Sequence, residues 1–324
     1  MHIGLIGLGK MGGNMRERLR RGGVEVTGYD RDPAVSDVPD LAAMVAALPA
    51  PRAVWVMVPA GPVTHGVVEQ LGELLEAGDV VVEGGNSRFT DDAKHAAVLG
   101  ERGIGYVDCG VSGGIWGLDN GYGLMAGGPT ELVERLMPVF DALRPEGPRE
   151  EGFVHAGDVG AGHYAKMVHN GIEYGLMQSY AEGFELLEAK DIVKDVHGCF
   201  KAWSRGTVVR SWLLDLLVAA LEDEGSLEKV RGYVEDSGEG RWTIEEAIAN
   251  GVPMPAITAA LFARFSSRQD DSPAMRAVAA LRHQFGGHAT AEAVEETGVR
   301  EASAASAGPS SGSGATGAPP PAGG

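Results

Sequence analysis

A glycine motif close to the amino terminus constrains the fold of this chain more than any other feature. Gly7, Gly9 and Gly12 fit the pattern G-x-G-x-x-G. The motif follows the apolar stretch His2–Ile6 and opens a segment with helical character. The first glycine permits a tight turn, the second lets a pyrophosphate approach the backbone, and the third allows helix and strand to pack closely. The motif therefore predicts a strand, turn and helix of a dinucleotide-binding domain.

Strand-like and helix-like segments alternate up to about residue 158. The predicted strands are His2–Ile6, Val24–Tyr29, Ala53–Val58, Val80–Glu83, Tyr106–Cys109 and Leu124–Ala126. Such alternation favours an α/β Rossmann-type domain with a parallel sheet and crossover helices. Beyond Asp158 the pattern predicts helices only: one long helix over Gly160–Ala189, then segments near 192–222, 242–249 and 256–265. We therefore expect a dinucleotide-binding domain over 1–158 and an all-α domain over 159–300.

Charge and composition narrow the function classes. The chain has 27 Lys+Arg and 45 Asp+Glu, a net charge of −18, which argues against general binding to nucleic acid or anionic membranes. An anionic small molecule remains possible, because a pocket can be locally basic. Two cysteines, Cys109 and Cys199, imply no disulfide framework, and the first residues lack a basic targeting segment, so we expect a cytoplasmic protein. Residues 301–324, rich in Ala, Gly, Ser and Pro, are expected to be a disordered tail.

Cofactor choice depends on the end of the second predicted strand. Asp30 follows that strand, about 20 residues after the glycine motif, where an acidic side chain can bind ribose hydroxyls. This favours NAD, whereas the adjacent Arg31 could attract the 2′-phosphate of NADP. The predicted cofactor-binding residues are Gly7, Gly9, Lys10, Met11, Gly12, Asp30, Arg31, Val58, Pro59, Ala60 and Asn86.

Two further loops follow predicted strands and are rich in small polar residues. One contains Asn86, and the other runs from Ser112 through Gly113 to Gly114. In open α/β sheets ligands bind beyond the carboxyl ends of the strands, so both loops are candidates for contact with a hydroxylated or carboxylated substrate. Ordinary turn chemistry is the alternative explanation of the same residues.

The long helix places five polar side chains on one face. Lys166, His169, Asn170, Glu173 and Tyr174 fall within an arc of about 140° at 100° per residue. A lysine in a partly desolvated pocket can act as a base, and a glutamate there can act as an acid. The alternative is a solvated helix face. On the opposite side Met167, Val168 and Ile172 are expected to enter the core.

These residues resemble the 6-phosphogluconate dehydrogenase family, within the wider group of β-hydroxyacid dehydrogenases. The glycine motif and the stretch Gly121–Gly128 are similar across the wider group. Two signatures are narrower: the helical run Lys166–Tyr174, and Arg282–His288, which is similar to the family's C-terminal Arg…Phe-Gly-x-His element. The resemblance covers about residues 1–290.

The resemblance implies oxidative decarboxylation of 6-phosphogluconate to ribulose 5-phosphate and CO2, with reduction of NAD and no metal. Lys166 would take the proton from the C3 hydroxyl, and Glu173 would protonate C1 of the enediol. The residues implied to hold the carboxylate and hydroxyl end are Asn86, Ser112, Gly113, Gly114, His169 and Asn170.

The resemblance also implies a phosphate site and an oligomer. The implied phosphate ligands are Tyr174, Arg210, Arg241, Thr243, Arg282 and His288. Arginine suits a phosphate because its planar fork donates two hydrogen bonds. In the family the last two residues reach a neighbouring subunit's site, which predicts a homo-oligomer, a dimer or tetramer.

This sequence departs from the long members of the family. It is shorter, and the stretch Ile115–Asn120 lacks their acidic pair and arginine, so it resembles the short subfamily that tends to prefer NAD. The closest alternative is another β-hydroxyacid dehydrogenase, acting on a 3-hydroxyisobutyrate- or tartronate semialdehyde-type substrate without a phosphate site. A non-catalytic dinucleotide-binding protein is a further alternative, against which Lys166 and Glu173 argue.

Overall fold

The computed structural model describes residues 1–222, 227–286 and 289–290. Residues Met1–Arg268 form one compact unit, and the described residues from Gln269 onward belong to a second unit. The strands are β1 (His2–Ile6), β2 (Glu25–Tyr29), β3 (Ala53–Val56), β4 (Val80–Glu83), β5 (Gly105–Ser112), β6 (Gly123–Gly127) and β7 (Phe153–Gly157). The helices are α1 (Lys10–Arg21), α2 (Leu41–Ala47), α3 (Pro62–Leu74), α4 (Phe89–Gly100), α5 (Gly117–Asn120), α6 (Thr130–Arg135), α7 (Met137–Leu143), α8 (Ala161–Glu188), α9 (Val196–Trp203), α10 (Trp212–Glu222), α11 (Glu239–Ala249), α12 (Pro255–Ser266) and α13 (Pro273–Gly286).

The strands of the described residues form one sheet in the order β2-β1-β3-β4-β5-β6-β7. Neighbouring strands from β2 to β5 are parallel, as the alternating pattern predicts. The α/β expectation is therefore confirmed, and the described residues after Gly157 form helices without a further strand. No helix among the described residues is long and apolar enough to cross a membrane.

The sheet differs from the prediction at its far edge. β6 runs antiparallel to β5, because only residues 113–122 connect them, whereas a parallel return needs about a dozen residues or more. β7 was not predicted from the sequence. It is a short edge strand whose Val154 is 47% exposed, so it lacks the continuous apolar run of the central strands.

Helices cover both faces of the sheet, so successive residues of the central strands enter two different cores. Trp55 packs edge-on against Phe140 of α7, with ring centroids 5.8 Å apart. The neighbouring Val54 and Val56 pack on the opposite face with residues of α2 and α3. Strands buried on both faces are typical of parallel sheets with crossover helices.

α8 connects the sheet to the helical region. Its first half packs against β5 and β6, and its second half packs with α9 and α10 around a separate core that includes Phe200 and Leu214. Met167 is buried as expected, but the prediction that Ile172 enters the core is wrong, since it is 52% exposed. The side of α8 that carries Ile172 is left uncovered in a single chain.

Candidate active site

A cleft of about 440 Å³ lies beyond the carboxyl ends of β1–β4. The residues that line it are Ile6, Gly7, Gly9, Lys10, Met11, Gly12, Tyr29, Asp30, Arg31, Met57, Val58, Pro59, Val63, Val67, Gly85 and Asn86. The cleft thus brings together the residues predicted from the glycine motif, the second strand and two later loops. Ala60 is exposed in the same loop as Pro59 but is not among the lining residues.

The glycine turn at the base of this cleft has the geometry that a pyrophosphate requires. Gly7 has a φ of 88°, and a side chain there would collide with the Met57 carbonyl group. A Cβ on Gly12 would collide with the Gly7 carbonyl group, whereas a Cβ on Gly9 would meet nothing within 4 Å. The turn is therefore closed on the protein side and open at Gly9, the N-cap of α1, where helix N–H groups favour an anion.

Asp30 ties the end of β2 to this turn. One carboxylate oxygen accepts a hydrogen bond from the Leu8 N–H at 2.7 Å, and the other accepts one from the Asp32 N–H at 2.9 Å. The bond from Asp32 is the main reason that the pKa of Asp30 is lowered, so this carboxylate is anionic at neutral pH. Each oxygen keeps a lone pair for a ribose hydroxyl, and Arg31 beside it is exposed.

The first turn of α8 is fixed by a buried carboxylate. Asp108 of β5 accepts hydrogen bonds from the backbone N–H groups of Gly160 (2.6 Å) and His163 (2.9 Å). A Cβ on Gly110, two residues further along β5, would collide with the Lys166 side chain. Only a glycine therefore lets α8 approach β5 closely enough to place Lys166 over the end of the sheet.

The predicted polar face of α8 is present. Lys166 is 9% exposed and donates a hydrogen bond from Nζ to Asn170 Oδ1 at 2.8 Å. His169 Nδ1 lies 3.3 Å from the same amide oxygen and 3.7 Å from Glu173 Oε1. Burial lowers the pKa of Lys166 below its ordinary value, although Glu239 and Glu173 oppose that shift. A buried amine held by a neutral amide can act as a proton acceptor.

The loops predicted to hold a substrate lie around this face. Ser112 and His169 line a common cavity of about 210 Å³, and Gly113 and Gly114 follow Ser112. Asn86 is exposed at the end of β4 and lines the cofactor cleft. The structure therefore brings the predicted substrate loops and the α8 face to the same end of the sheet.

A buried charged cluster lies one turn before Lys166. His163 Nδ1 is 2.9 Å from Asp92 Oδ2, and its Nε2 is 3.7 Å from Glu83 Oε2. Burial alone would lower the pKa of His163, but Glu83 and Asp92 raise it to about 10. The imidazole is therefore a cation between two carboxylates. Glu83 also accepts a hydrogen bond from the Gly85 N–H at 2.8 Å, which holds the loop before Asn86.

A group of arginines surrounds the end of the polar face. The Arg264 guanidinium stacks 3.4 Å from the centroid of the Tyr174 ring. Arg241 and Arg268 both bond Asp236, with Arg241 distances of 2.8 and 3.0 Å and an Arg268 distance of 2.6 Å. The hydrogen bond from Arg241 is the main reason that the pKa of Asp236 lies far below its usual range. One carboxylate thus gathers two guanidinium groups beside Tyr174.

The other predicted phosphate ligands have different placements. The Thr243 hydroxyl is buried between α11 and α8, 2.9 Å from the Met167 carbonyl oxygen. Arg210 is exposed in the segment between α9 and α10, and Arg282 is exposed on α13. His288 lies outside the described residues.

Sequence reasoning missed three charged residues of this region. Glu239 is 1% exposed on α11 and acts electrostatically on Lys166, and burial raises its pKa to about 7. Glu239 directly precedes the motif Gly240–Thr243 that the sequence analysis singled out. Arg264 and Arg268 of the α12 region are four residues apart, and this spacing signals a shared helix face.

Comparisons with known proteins match two parts of the chain to the two domains of one enzyme family. Residues 2–145 match the family model described as the NAD binding domain of 6-phosphogluconate dehydrogenase. Residues 162–307 match the model described as the C-terminal domain of 6-phosphogluconate dehydrogenase. A Haloferax volcanii protein named NAD(+)-dependent, decarboxylating 6-phosphogluconate dehydrogenase is 41% identical over 301 residues, which cover 90% of this chain and 99% of the relative.

Solved structures show the same fold. A Plasmodium falciparum 6-phosphogluconate dehydrogenase, solved in apo form and with NADP+ or 6-phosphogluconate, matches with a TM-score of 0.77 and 25% identity. The match covers 88% of this chain and 65% of that one, so the chain spans about two thirds of the larger enzyme. A Mycobacterium tuberculosis 3-hydroxyisobutyrate dehydrogenase matches with a TM-score of 0.66 and 20% identity, which shows the shared fold.

Proposed function

The chain belongs to the 6-phosphogluconate dehydrogenase family, and we propose that it uses Lys166 and Glu173 as base and acid in the oxidative decarboxylation of 6-phosphogluconate with NAD. The observation that carries this proposal is the state of Lys166. It is buried, its pKa is lowered, its amine is held by Asn170, and it faces the same end of the sheet as the cofactor cleft.

The cofactor cleft fits a dinucleotide. The open backbone at Gly9 and the N-terminus of α1 would hold the pyrophosphate, and Asp30 would bind ribose hydroxyls. Val58, Pro59 and Asn86 also line the cleft and would contact the nicotinamide half. NAD, when bound, accepts the hydride from C3 of the substrate.

Proton transfers fall to two residues of α8. Lys166 accepts the proton of the C3 hydroxyl group, which leaves a 3-keto acid and a lysine ammonium group that polarises the new carbonyl. The bond between C1 and C2 then breaks and CO2 leaves. The electron pair moves to the ketone oxygen, which takes a proton from the Lys166 ammonium group to give an enediol. Glu173, whose side chain is 36% exposed, donates the proton to the enediol carbon that the carboxylate leaves. Lys166 takes back the enediol hydroxyl proton as the ketone product forms.

The remaining predicted residues divide between the two ends of the substrate. Those proposed for the carboxylate and hydroxyl end are Asn86, Ser112, Gly113, Gly114, His169 and Asn170. Those proposed for the phosphate are Tyr174, Arg241 and Thr243, joined by Arg264 and Arg268 from the structure. Arg210, Arg282 and His288 remain predictions from the family resemblance.

We also propose that the enzyme is a homo-oligomer, a dimer or tetramer, in which Arg282 and His288 reach a neighbouring subunit. Several large apolar side chains of α8 are exposed in the single chain, namely Ile172 (52%), Leu176 (41%), Met177 (38%) and Leu186 (69%). An exposed apolar helix face of this kind is typical of a subunit interface. Light scattering after gel filtration measures the molar mass and so distinguishes a monomer from a dimer or a tetramer. Because ribulose 5-phosphate is a pentose phosphate, we propose that the enzyme acts in the pentose phosphate pathway, in the cytoplasm.

The first experiment measures absorbance at 340 nm with 6-phosphogluconate and either NAD or NADP, while CO2 is trapped. The expected result is reduction of NAD with one CO2 per hydride. Activity on an unphosphorylated 3-hydroxy acid, with none on 6-phosphogluconate, would contradict the proposal and place the chain among the other β-hydroxyacid dehydrogenases.

A further inference from the structure

A buried glutamate on a different helix acts electrostatically on the proposed base. Glu239 is the first residue of α11 and is 1% exposed, and its Oε2 is buried without a hydrogen-bond partner in the structure. The charged groups that act on it are Lys166, His163 and Glu173, all on α8. The carboxyl group therefore lies at the contact between α11 and α8, on the side of α8 that holds the proposed chemistry.

The fold itself does not require this carboxyl group. The link between α11 and α8 runs through Thr243, whose hydroxyl lies 2.8 Å from the Glu239 backbone carbonyl oxygen and 2.9 Å from that of Met167. Any residue at position 239 supplies that carbonyl. Burial of an unpartnered carboxyl oxygen is unfavourable, so its presence beside the polar face calls for a functional explanation.

The other charged groups around this pair have their own partners. On β5, Asp108 accepts from two backbone N–H groups of the first turn of α8. On α12, Arg264 stacks on the Tyr174 ring, and on α11 Arg241 is paired with Asp236. On β7, His155 bonds the Gly128 carbonyl oxygen. Glu239 and Glu173 are the two carboxylates that oppose the effect of burial on Lys166.

We propose that Glu239 is a positioning residue for the proposed base: its carboxylate compensates the positive charge that appears on Lys166 Nζ when the amine takes the proton of the substrate hydroxyl group. The inference rests on the role given to Lys166 above. The Glu239 carboxylate contributes no proton to the reaction. The hydroxyl proton moves to Nζ as before, and the Glu239 carboxylate stabilises the resulting ammonium group without bonding the substrate.

The test compares the pH profiles of Glu239→Gln, the control Glu246→Gln and the unmodified enzyme. Glu246 lies on the same helix, and its carboxylate accepts a hydrogen bond from the Asn250 side-chain amide. Glu246 is not among the charged groups that act on Lys166, so its substitution removes the same charge without that effect. Without the Glu239 carboxylate the pKa of Lys166 falls further. The acid limb of kcat/KM should therefore move to lower pH by about one unit, and kcat should fall about tenfold with little change in KM.

Glu239→Asp keeps the charge and should restore most of the original acid limb. An unchanged acid limb in Glu239→Gln, even with reduced activity, would overturn the proposal, because a purely structural role lowers activity without moving the profile. An equal shift in Glu246→Gln would also overturn it, since the effect would then be one of net charge.

A second measurement does not depend on turnover. Burial raises the pKa of Glu239 in the folded protein above its ordinary value. The unfolded chain therefore ionises this carboxyl group at a lower pH than the folded protein does, and the folded protein loses stability as pH rises towards 7. Glu239→Gln should therefore gain stability relative to the unmodified enzyme between about pH 4.5 and 7. If Glu239→Gln gains no stability relative to the unmodified enzyme, Glu239 is not a buried carboxyl group that titrates in this range, and the proposal is overturned. Absence of 6-phosphogluconate turnover in the unmodified enzyme, with this gain present, would instead contradict the proposed function.

Discussion

Two consecutive turns of α8 hold ionisable groups in opposite states. His163 is buried between Asp92 and Glu83, and these carboxylates raise its pKa to about 10. Lys166, three residues later, is almost as buried but donates to the neutral amide of Asn170, and its pKa is lowered. A compensated charge is held in one protonation state and stabilises the fold. A poorly compensated one changes its protonation state readily, as proton transfer requires.

The strongest test of this comparison removes the poorly compensated group. Lys166→Met should lower kcat by about a thousandfold or more, because the general base and the cation that polarises the ketone are both lost. NAD should still bind, since the glycine turn and Asp30 lie on other elements. Absorbance at 340 nm gives the rate and a fluorescence titration gives NAD affinity. A near-normal rate would refute the assignment of the base.

Removal of the compensated group should instead affect stability. His163→Ala leaves Asp92 and Glu83 buried without their cation, so the free energy of unfolding should fall by about 3–5 kcal/mol. Lys94→Ala on the same α4 helix as Asp92 is the control. Its ion pair with Asp91 is largely exposed on the lysine side and should cost less than about 1 kcal/mol. If urea denaturation shows that His163→Ala and Lys94→Ala lose the same free energy of unfolding, the charge of His163 is not compensated by Asp92 and Glu83.

The cluster also predicts the sign of a pH dependence. The folded pKa of His163, about 10, lies above the ordinary value of about 6.5 for an unfolded histidine. Its contribution to stability is therefore fully present below about pH 6.5 and is lost as pH rises towards 10. The difference in unfolding free energy between the unmodified enzyme and His163→Ala should shrink over that range. A constant difference would mean that the imidazole is already neutral at low pH.

A smaller effect is expected where the compensating partner is shared. Asp236 holds Arg241 and Arg268, so these guanidinium groups are positioned but only partly neutralised for a phosphate. Arg241→Ala should raise the KM for 6-phosphogluconate about 10–100-fold with a smaller change in kcat, as expected for the loss of a charged hydrogen bond. Arg135→Ala, far from this region on α6, is the control. An unchanged KM would remove Arg241 from the substrate site.

The sequence predicts the first half of the site well because its signals are local. Gly7 needs a positive φ, Gly12 has no room for a side chain, and the polar face of α8 follows from helical periodicity alone. The alternation of apolar segments likewise predicts β1 residue for residue. In each case a few neighbouring residues determine the outcome.

Features that depend on distant contacts were not predictable. Glu239 gains its importance only because α11 packs against α8, and Asp236 binds Arg268, which lies 32 residues away in the sequence. Periodicity predicts Ile172 as a core residue, yet it lies on an uncovered side of α8 in the single chain. Packing between helices decides these points, and no single segment of the sequence encodes it.

The mildest test concerns the cofactor cleft, where an exposed arginine lies beside an anionic carboxylate. Asp30 is engaged by two backbone N–H groups, whereas Arg31 is exposed and can approach a 2′-phosphate. Because an exposed ion pair contributes about 0.2–1 kcal/mol, Arg31→Ala should raise the KM for NADP only about two- to fivefold and leave the KM for NAD unchanged. Arg21→Ala, at the far end of α1, is the control. If the KM for NAD rises as much as that for NADP, Arg31 binds a part common to both cofactors and does not determine the preference between them.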